Sequence, residues 1–180
     1  MILMSGGKPS NIALIGFRGT GKTTLAKKLA KRLLMRFVDT DKEIMKEAGA
    51  GIPEIFESRG EAGFRELERK VVKRVSGIKN ACIACGGGVV LSMENVENLK
   101  RDSVIILLES EPEVIYARIR HDGNRPSLTG IGGMKEVKHL LAERKKLYDG
   151  AADFRVDTSS DYPSESAQKI IDMLNRKGLL

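Results

Sequence analysis

The residues best suited to chemistry lie near the start of the chain, at residues 16–23, which read Gly-Phe-Arg-Gly-Thr-Gly-Lys-Thr. This is a complete phosphate-loop pattern, with an apolar run before it and helical spacing of apolar residues after it. Glycines let the backbone curl so that its N–H groups point at phosphate oxygens, and the helix start adds a positive end. We therefore predict a site for ATP, in which Lys22 meets the β- and γ-phosphates and Thr23 binds Mg²⁺. The alternative is a glycine turn that merely joins a strand to a helix. The residues expected to contact ATP are Gly19, Thr20, Gly21, Lys22, Thr23 and Thr24.

Two carboxylates, Asp39 and Asp41, follow the second apolar run as Asp-Thr-Asp. Beside a triphosphate, such groups can hold the metal, directly or through water, or accept a hydroxyl proton. For Asp41 the competing interpretation is a helix N-cap, because a helical pattern up to Ala48 comes next. The two roles can coexist.

Further candidates come later in the chain, and each has a plainer alternative. Arg65 and Glu68 share a helical face, so they form either a guanidinium fork for a carboxylate or a solvated ion pair. Residues 86–88 are three glycines after a short apolar run, which either let a substrate approach the backbone closely or form a flexible turn. Arg144 either faces a substrate or adds one more charge to a basic helix face.

A long polar segment, residues 121–134, is rich in Gly and also contains Pro, Asn and Ser. Long loops in compact domains often serve as active-site lids, and Arg125 on such a mobile lid would close on the transferring phosphoryl group. The alternative is a disordered surface loop.

The elements that must position these residues are short apolar runs alternating with helical patterns. The five runs predicted to be strands are residues 11–15, 37–38, 81–85, 104–108 and 154–156. The predicted helices are residues 22–34, 41–48, 65–75 with an opening at residues 60–65, 93–100, 111–119, 135–148 and 164–175. Such alternation implies an α/β fold with a parallel sheet covered on both faces, built as one domain over residues 1–180. Ligands bind beyond the carboxyl ends of such strands, which is where Gly16, Asp39 and Gly86 fall.

Composition narrows the function classes. The net charge is +7, but the basic residues are spread along the chain, Trp is absent and aromatics make up only 4%. This favours a phosphate- or carboxylate-bearing substrate over nucleic acid, whose single strands are bound by aromatic stacking. The apolar runs are too short to span a membrane and the first ten residues lack a signal-peptide pattern, so we expect a cytoplasmic protein without a membrane partner.

The only cysteines, Cys82 and Cys85, form a Cys-x-x-Cys pattern. A zinc site would need further ligands, and the only histidines are His121 and His139, with no second cysteine pair. We favour two buried residues on alternate faces of a strand.

As a set, these motifs resemble the shikimate kinase family. They occur in the family's order and rough spacing over nearly the whole chain. The segments that carry the resemblance are residues 16–24, 39–41, 60–61 with 64–65, 86–88, 125–126, 143–144 with 147–148, and 155–158.

The resemblance implies a monomeric enzyme that transfers phosphate from ATP to shikimate, giving shikimate 3-phosphate in aromatic amino-acid biosynthesis. It also implies a three-layer α/β/α P-loop kinase fold of the nucleoside monophosphate kinase type, with strand order 2-3-1-4-5. The roles that it implies are as follows: Asp41 as base and ligand of the shikimate hydroxyls, Arg65, Gly87 and Arg144 as the rest of the substrate site, Phe56 and Phe64 as its walls, Thr23 backed by Asp39 at Mg²⁺, Arg125 at the phosphates, and Arg155 near the adenine.

Three residues depart from the family pattern. Arg18 lies inside the phosphate loop where relatives carry smaller or apolar residues, Ser127 replaces the usual Leu, and Cys85 replaces Thr or another small residue.

Two rival functions remain at this stage. One is a kinase for another small metabolite, such as gluconate or a nucleoside monophosphate. The other is a nucleotide-binding regulatory or nucleic-acid-binding module, which has some support from the charge of +7 but ranks below the kinase because the phosphate loop and the acceptor residues are both intact.

Overall fold

The structure is a computed structural model that describes residues 8–120 and 132–180. Within these residues the strands are β1 Asn11–Ile15, β2 Arg36–Asp39, β3 Ala81–Ala84, β4 Ser103–Glu109 and β5 Phe154–Asp157. The helices are α1 Lys22–Leu33, α2 Thr40–Ala48, α3 Ile52–Ser76, α4 Met93–Lys100, α5 Pro112–Ile119, α6 Gly133–Ala151 and α7 Pro163–Arg176, with a 3-10 turn at Val89–Leu91.

All five strands are parallel and lie in the order β2-β3-β1-β4-β5. The central strand β1 pairs on one side with β3, where Ile12 lies opposite Cys82, and on the other with β4, where Ile12 lies opposite Val104. Strands in the middle of such a sheet are buried on both faces, which explains their unbroken apolar sequence. The predicted fold class and the strand order implied by the family resemblance are both confirmed.

Helices cover both faces of the sheet and give the molecule three layers. On one face α1 and α7 pack against residues such as Leu14 and Cys82, and on the other α2, α3 and α4 pack against residues such as Ile83 and Cys85. Cys82 and Cys85 thus belong to different halves of the core, as their predicted placement on alternate faces requires. A smaller apolar cluster joins α5 and α6 to Phe17 in the phosphate loop.

The largest difference from the sequence prediction is in α3. We expected a helix to open near Gly60, but helical residues begin at Ile52 and continue through a kink at Gly60, whose φ of 67° and ψ of −178° are not helical. The earlier start is stabilised by a cap, because the Glu54 carboxylate accepts the Gly51 N–H at 2.7 Å. The other predicted helices and strands occur where expected, with ends shifted by a few residues.

No helix in the described part of the chain combines the length and apolar character needed to cross a membrane.

Candidate active site

The phosphate loop connects the end of β1 to the start of α1. Gly16 has a φ of 139°, and a Cβ on it would lie 2.3 Å from the carbonyl oxygen of Leu108 in β4, so this position requires glycine. Thr20 closes the loop, since its N–H and its hydroxyl both donate to the carbonyl of Phe17, at 3.3 and 2.8 Å. The Lys22 ammonium donates to the carbonyls of Gly16 and Phe17, each at 2.7 Å, which holds its charge at the mouth of the loop.

A hydroxyl and a carboxylate meet beside this loop. Thr23 Oγ1 donates to Asp39 Oδ2 at 2.9 Å, while Asp39 Oδ1 accepts the N–H groups of Asp41 and Lys42 at 3.1 and 3.3 Å. Asp39 is therefore the N-cap of α2, and the alternative interpretation of Asp41 as the cap is wrong.

The same pair offers the oxygen ligands that Mg²⁺ prefers, so its chemistry suits the cation. Among residues 8–120 and 132–180, no group of three or more His, Cys, Asp and Glu side chains could hold a metal ion. A cation at Thr23 and Asp39 would take its remaining ligands from phosphate and water, as Mg²⁺ commonly does.

Residues 86–88 lie at the centre of the site, and each of the three glycines is close to a different neighbour. A Cβ on the first would lie 2.5 Å from Asp41 Oδ1, on the second 3.3 Å from the backbone nitrogen of Arg18, and on the third 2.4 Å from Arg65 Nη1. A side chain at Gly86 or Gly88 would collide with a predicted substrate residue, and one at Gly87 would be a tight fit against the phosphate loop. Close approach of the protein's own residues therefore explains the three glycines better than the alternative of a flexible turn, and the approach of a substrate to this segment stays a prediction.

Arg65 is held by a buried carboxylate. Its Nη1 lies 3.0 Å from Glu68 Oε2, and the Glu68 side chain is only 2% exposed, so the pair is not the solvated one of the alternative interpretation. Burial raises the pKa of the Glu68 carboxyl, and the Arg65 guanidinium opposes that shift. Next to Arg65, the rings of Phe64 and Phe56 stack with centroids 4.6 Å apart.

Arg144 reaches the glycine segment from α6. Its Nη1 donates to the carbonyl of Gly87 at 3.4 Å, and the Tyr148 hydroxyl donates to the same oxygen at 2.6 Å. Arg144 is 8% exposed, so it does not belong to a solvated basic face. Burial raises the pKa of Tyr148 to about 12, so its hydroxyl keeps its proton and its donor role at neutral pH.

Two of the predicted residues stand apart from this arrangement. Arg155 lies on the edge strand β5, half exposed, with its Nη1 2.8 Å from Asp149 Oδ1, and no described contact joins it to the phosphate loop. Arg125 and most of the predicted lid fall in residues 121–131, outside the described residues.

One residue beside the loop, Arg118, has no distinguishing signal in the sequence. Arg118 in α5 donates to the carbonyl of Gly19 at 3.2 Å and to that of Thr158 at 2.7 Å, and so joins the phosphate loop to the end of β5. In the sequence it is one basic residue among 31. Only the sheet order, which places β4 beside β1, reveals that α5 reaches the loop.

The chain is similar to known proteins over nearly its whole length. Residues 18–175 match the family model described as shikimate kinase. Shikimate kinases of Caldanaerobacter subterraneus subsp. tengcongensis and Thermodesulfovibrio yellowstonii are each 45% identical to the chain, over 89% and 92% of it and 94% and 95% of their own lengths. The solved structure of shikimate kinase from Acinetobacter baumannii in complex with shikimate superposes with a TM-score of 0.90 at 35% identity, covering 96% of both chains.

Proposed function

This chain belongs to the shikimate kinase family and transfers a phosphoryl group from ATP to shikimate, and we propose that its shikimate site is formed by Asp41, Arg65, Gly87 and Arg144. The observation that carries the proposal is the packing around residues 86–88, which bring the phosphate loop, Asp41 and Arg65 into contact with one short segment. The acceptor and the phosphoryl donor would then occupy adjoining sides of that segment.

The two arginines are suited to the shikimate carboxylate. A guanidinium presents parallel N–H donors that match the two oxygens of a carboxylate, which an ammonium cannot do. Glu68 fixes Arg65, and the Gly87 carbonyl accepts a hydrogen bond from Arg144, so both groups are oriented before the substrate arrives. We propose Phe56 and Phe64 as the wall beside the ring of the substrate.

Asp41 is proposed to bind the shikimate hydroxyls and to accept the proton of the attacking one. Because Asp39 caps α2, the Asp41 carboxylate is not used for that purpose and lies against Gly86 instead. A carboxylate within hydrogen-bond reach of the hydroxyl removes the proton as the new bond to phosphorus forms.

ATP would lie in the loop with Gly19, Thr20, Gly21 and Thr24 supplying backbone or hydroxyl donors and Lys22 balancing phosphate charge. Thr23 and Asp39 would hold Mg²⁺, which when bound neutralises charge on the phosphate oxygens. Arg125 is proposed to reach the phosphates, and Arg155 to lie near the adenine. Phosphoryl transfer depends mostly on such positioning and charge neutralisation.

We test the reaction and the base with an ADP-release assay containing Mg-ATP, with and without shikimate. The wild-type chain should release ADP in a shikimate-dependent way. Asp41→Asn should lower kcat by about 100-fold or more while leaving the Kd for ATP nearly unchanged, since a general base contributes about that much.

The control is Asp172→Asn on α7, where the carboxylate accepts a hydrogen bond from Gln168 away from the site, and it should behave as wild type. Turnover retained by Asp41→Asn would remove Asp41 as the base. Activity with gluconate or a nucleoside monophosphate in place of shikimate would favour the rival kinases.

We also propose that residues 1–180 act as one domain, as a monomer in the cytoplasm, without binding nucleic acid. Sedimentation of the purified chain, cell fractionation and a salt-dependent nucleic-acid binding assay would test these points.

A further inference from the structure

Arg18 is the residue of the phosphate loop whose side chain the nucleotide-binding pattern does not explain. Its Nη2 lies 2.6 Å from Oε1 of Glu136, in the first turns of α6. The Glu136 side chain is 1% exposed and that of Arg18 is 19% exposed, so this ion pair is screened much less than a surface pair.

The carboxylate of Glu136 also fixes the start of its own helix. Its second oxygen, Oε2, accepts the N–H of Gly132, the N-cap of α6, at 3.1 Å. One carboxylate therefore fastens the beginning of α6 to the phosphate loop.

The loop does not depend on Arg18 for its shape. Thr20 closes it with two donations to the Phe17 carbonyl. Phe17 itself is 2% exposed and packs in the apolar cluster with Ile115, Val137 and Leu140. What the Arg18 side chain adds is a charged link from the loop to α6.

The link to α6 is important because the same helix carries Arg144, which is proposed to bind the carboxylate of shikimate. Glu136, Arg144 and Tyr148 all belong to the buried side of α6, with about 12 Å of helix between Glu136 and Arg144. Arg144 and Tyr148 donate to the Gly87 carbonyl, and Gly87 in turn lies close to the backbone of Arg18, where an added Cβ would be 3.3 Å from the Arg18 nitrogen.

These contacts form a closed ring. It runs from the backbone of Arg18 through Gly87 to Arg144, along α6 to Glu136, and back through the ion pair to the side chain of Arg18. A ring of this kind fixes the distance between the nucleotide loop and Arg144.

We propose that Arg18 is a positioning residue whose ion pair with Glu136 sets Arg144, and with it shikimate, in line with the phosphoryl group of ATP. The inference rests on the proposed role of Arg144 in binding the shikimate carboxylate. Displacing a reacting group by about 1 Å can cost about 100-fold in rate, so loss of this link should be measurable in turnover.

The test is Arg18→Met, which keeps most of the side-chain length and removes the charge. We expect kcat/KM for shikimate to fall by about tenfold or more, through a lower kcat and a higher KM, because the acceptor is out of line. The Kd for ATP should stay within about twofold of wild type, since the loop keeps its own hydrogen bonds. Arg18→Lys retains the charge and should recover a large part of the loss.

The matched control is Lys138→Met. Lys138 lies on the same helix and pairs with Glu113 of α5 at 2.9 Å, but both side chains are more than half exposed and the pair does not reach the loop. Its kinetic constants should equal those of the wild type.

A thermal unfolding curve of each variant shows whether a loss of activity comes from a less stable fold or from a displaced Arg144 in a folded protein. If Arg18→Met keeps shikimate kinetics within about twofold of wild type, or loses ATP affinity as much as shikimate affinity, the proposal is wrong. A double-mutant cycle with Glu136→Gln, which removes the charge but keeps an acceptor for the Gly132 N–H, is the second measurement: the double variant should be no slower than Arg18→Met alone, and additive losses would contradict the pairing.

Arg144→Lys distinguishes the two levels of the proposal. If it leaves the KM for shikimate unchanged, the proposed role of Arg144 fails. If it raises that KM while Arg18→Met does not, only the positioning role of Arg18 fails.

Discussion

At Gly88 the candidate site has no room for one more carbon atom. A Cβ there would lie 2.4 to 2.9 Å from three atoms of the Arg65 guanidinium. The backbone at Gly88 has a φ of −98° and a ψ of 4°, which other residues also adopt, so the glycine is needed for space and not for conformation. A substitution here acts on Arg65 and on little else.

We predict that Gly88→Ala raises the KM for shikimate by about tenfold, because Arg65 must leave the position in which Glu68 holds it. Loss of one hydrogen bond from a charged group weakens binding by about this factor. ATP affinity should not change. The measurement is steady-state kinetics with each substrate varied in turn.

Gly150→Ala is the control for this change, since a Cβ at Gly150 in α6 would meet no atom within 4 Å. It should leave kinetics unchanged and stabilise the helix slightly. A Gly88→Ala enzyme with normal shikimate kinetics would show that Arg65 does not need its present position.

At the scale of single elements, α3 is two helical pieces joined at Gly60. The first piece carries Phe56 and the second carries Phe64 and Arg65, and the two rings stack across the kink. The kink therefore brings one aromatic side chain from each piece together beside the predicted carboxylate-binding arginine.

Gly60→Ala should destabilise the protein, because a φ of 67° with a ψ of −178° is open essentially to glycine alone. We expect a loss of about 1–3 kcal/mol, which lowers Tm by several degrees in a chain of this size. Calorimetry measures it. Gly150→Ala is again the matched control, and an unchanged Tm for Gly60→Ala would mean that α3 can straighten at no cost.

Local sequence patterns were sufficient for much of this architecture. The phosphate loop, Asp39 and residues 86–88 could be located because each directly follows an apolar run, and runs of this kind became strands. The first piece of α3 was missed because it is short, contains Pro53 and ends at Gly60, which together resemble a loop.

Local sequence patterns could not predict which side chains meet in the folded protein. The contacts of Arg118 with Gly19 and of Arg18 with Glu136 depend on packing between distant segments. The Asp39 cap is local, but Asp39 and Asp41 are both good cap residues, so residue type alone did not choose between them. Even the strand order was implied by resemblance to a family and not by the residues alone.

At the scale of the whole molecule, the sheet buries one thiol in each half of the core. Burial raises the pKa of Cys82 from 9.0 to about 12, and it raises the pKa of Cys85 as well. In an unfolded chain both thiols would lose their protons near pH 9, whereas the folded protein keeps them. Above that pH the unfolded state binds fewer protons, so the free energy of unfolding falls as pH rises.

We predict that urea unfolding of the wild type shows this fall between about pH 9 and 12, by up to about 1.4 kcal/mol per pH unit for each thiol. Cys82→Ala should show a shallower fall over the same range. Leu29→Ala, at another buried position of the same cluster, is the control: it should lower stability at every pH without changing the slope. Equal slopes for Cys82→Ala and the wild type would contradict the prediction.

The central place of β1 has a consequence for how the protein is made. β1 is synthesised before the other described strands, and both of its partners, residues 81–84 and 103–107, are made much later. The loop after it also packs Gly16 against Leu108. A nascent chain that has not yet reached Leu108 cannot assemble its ATP site, although the loop sequence is already complete. The long segments between β1 and its partners must close before the stabilising contacts between these strands can form. The growing polypeptide therefore carries β1 without either partner until residues 81–84 have been made, and a chaperone could bind that apolar strand throughout this interval.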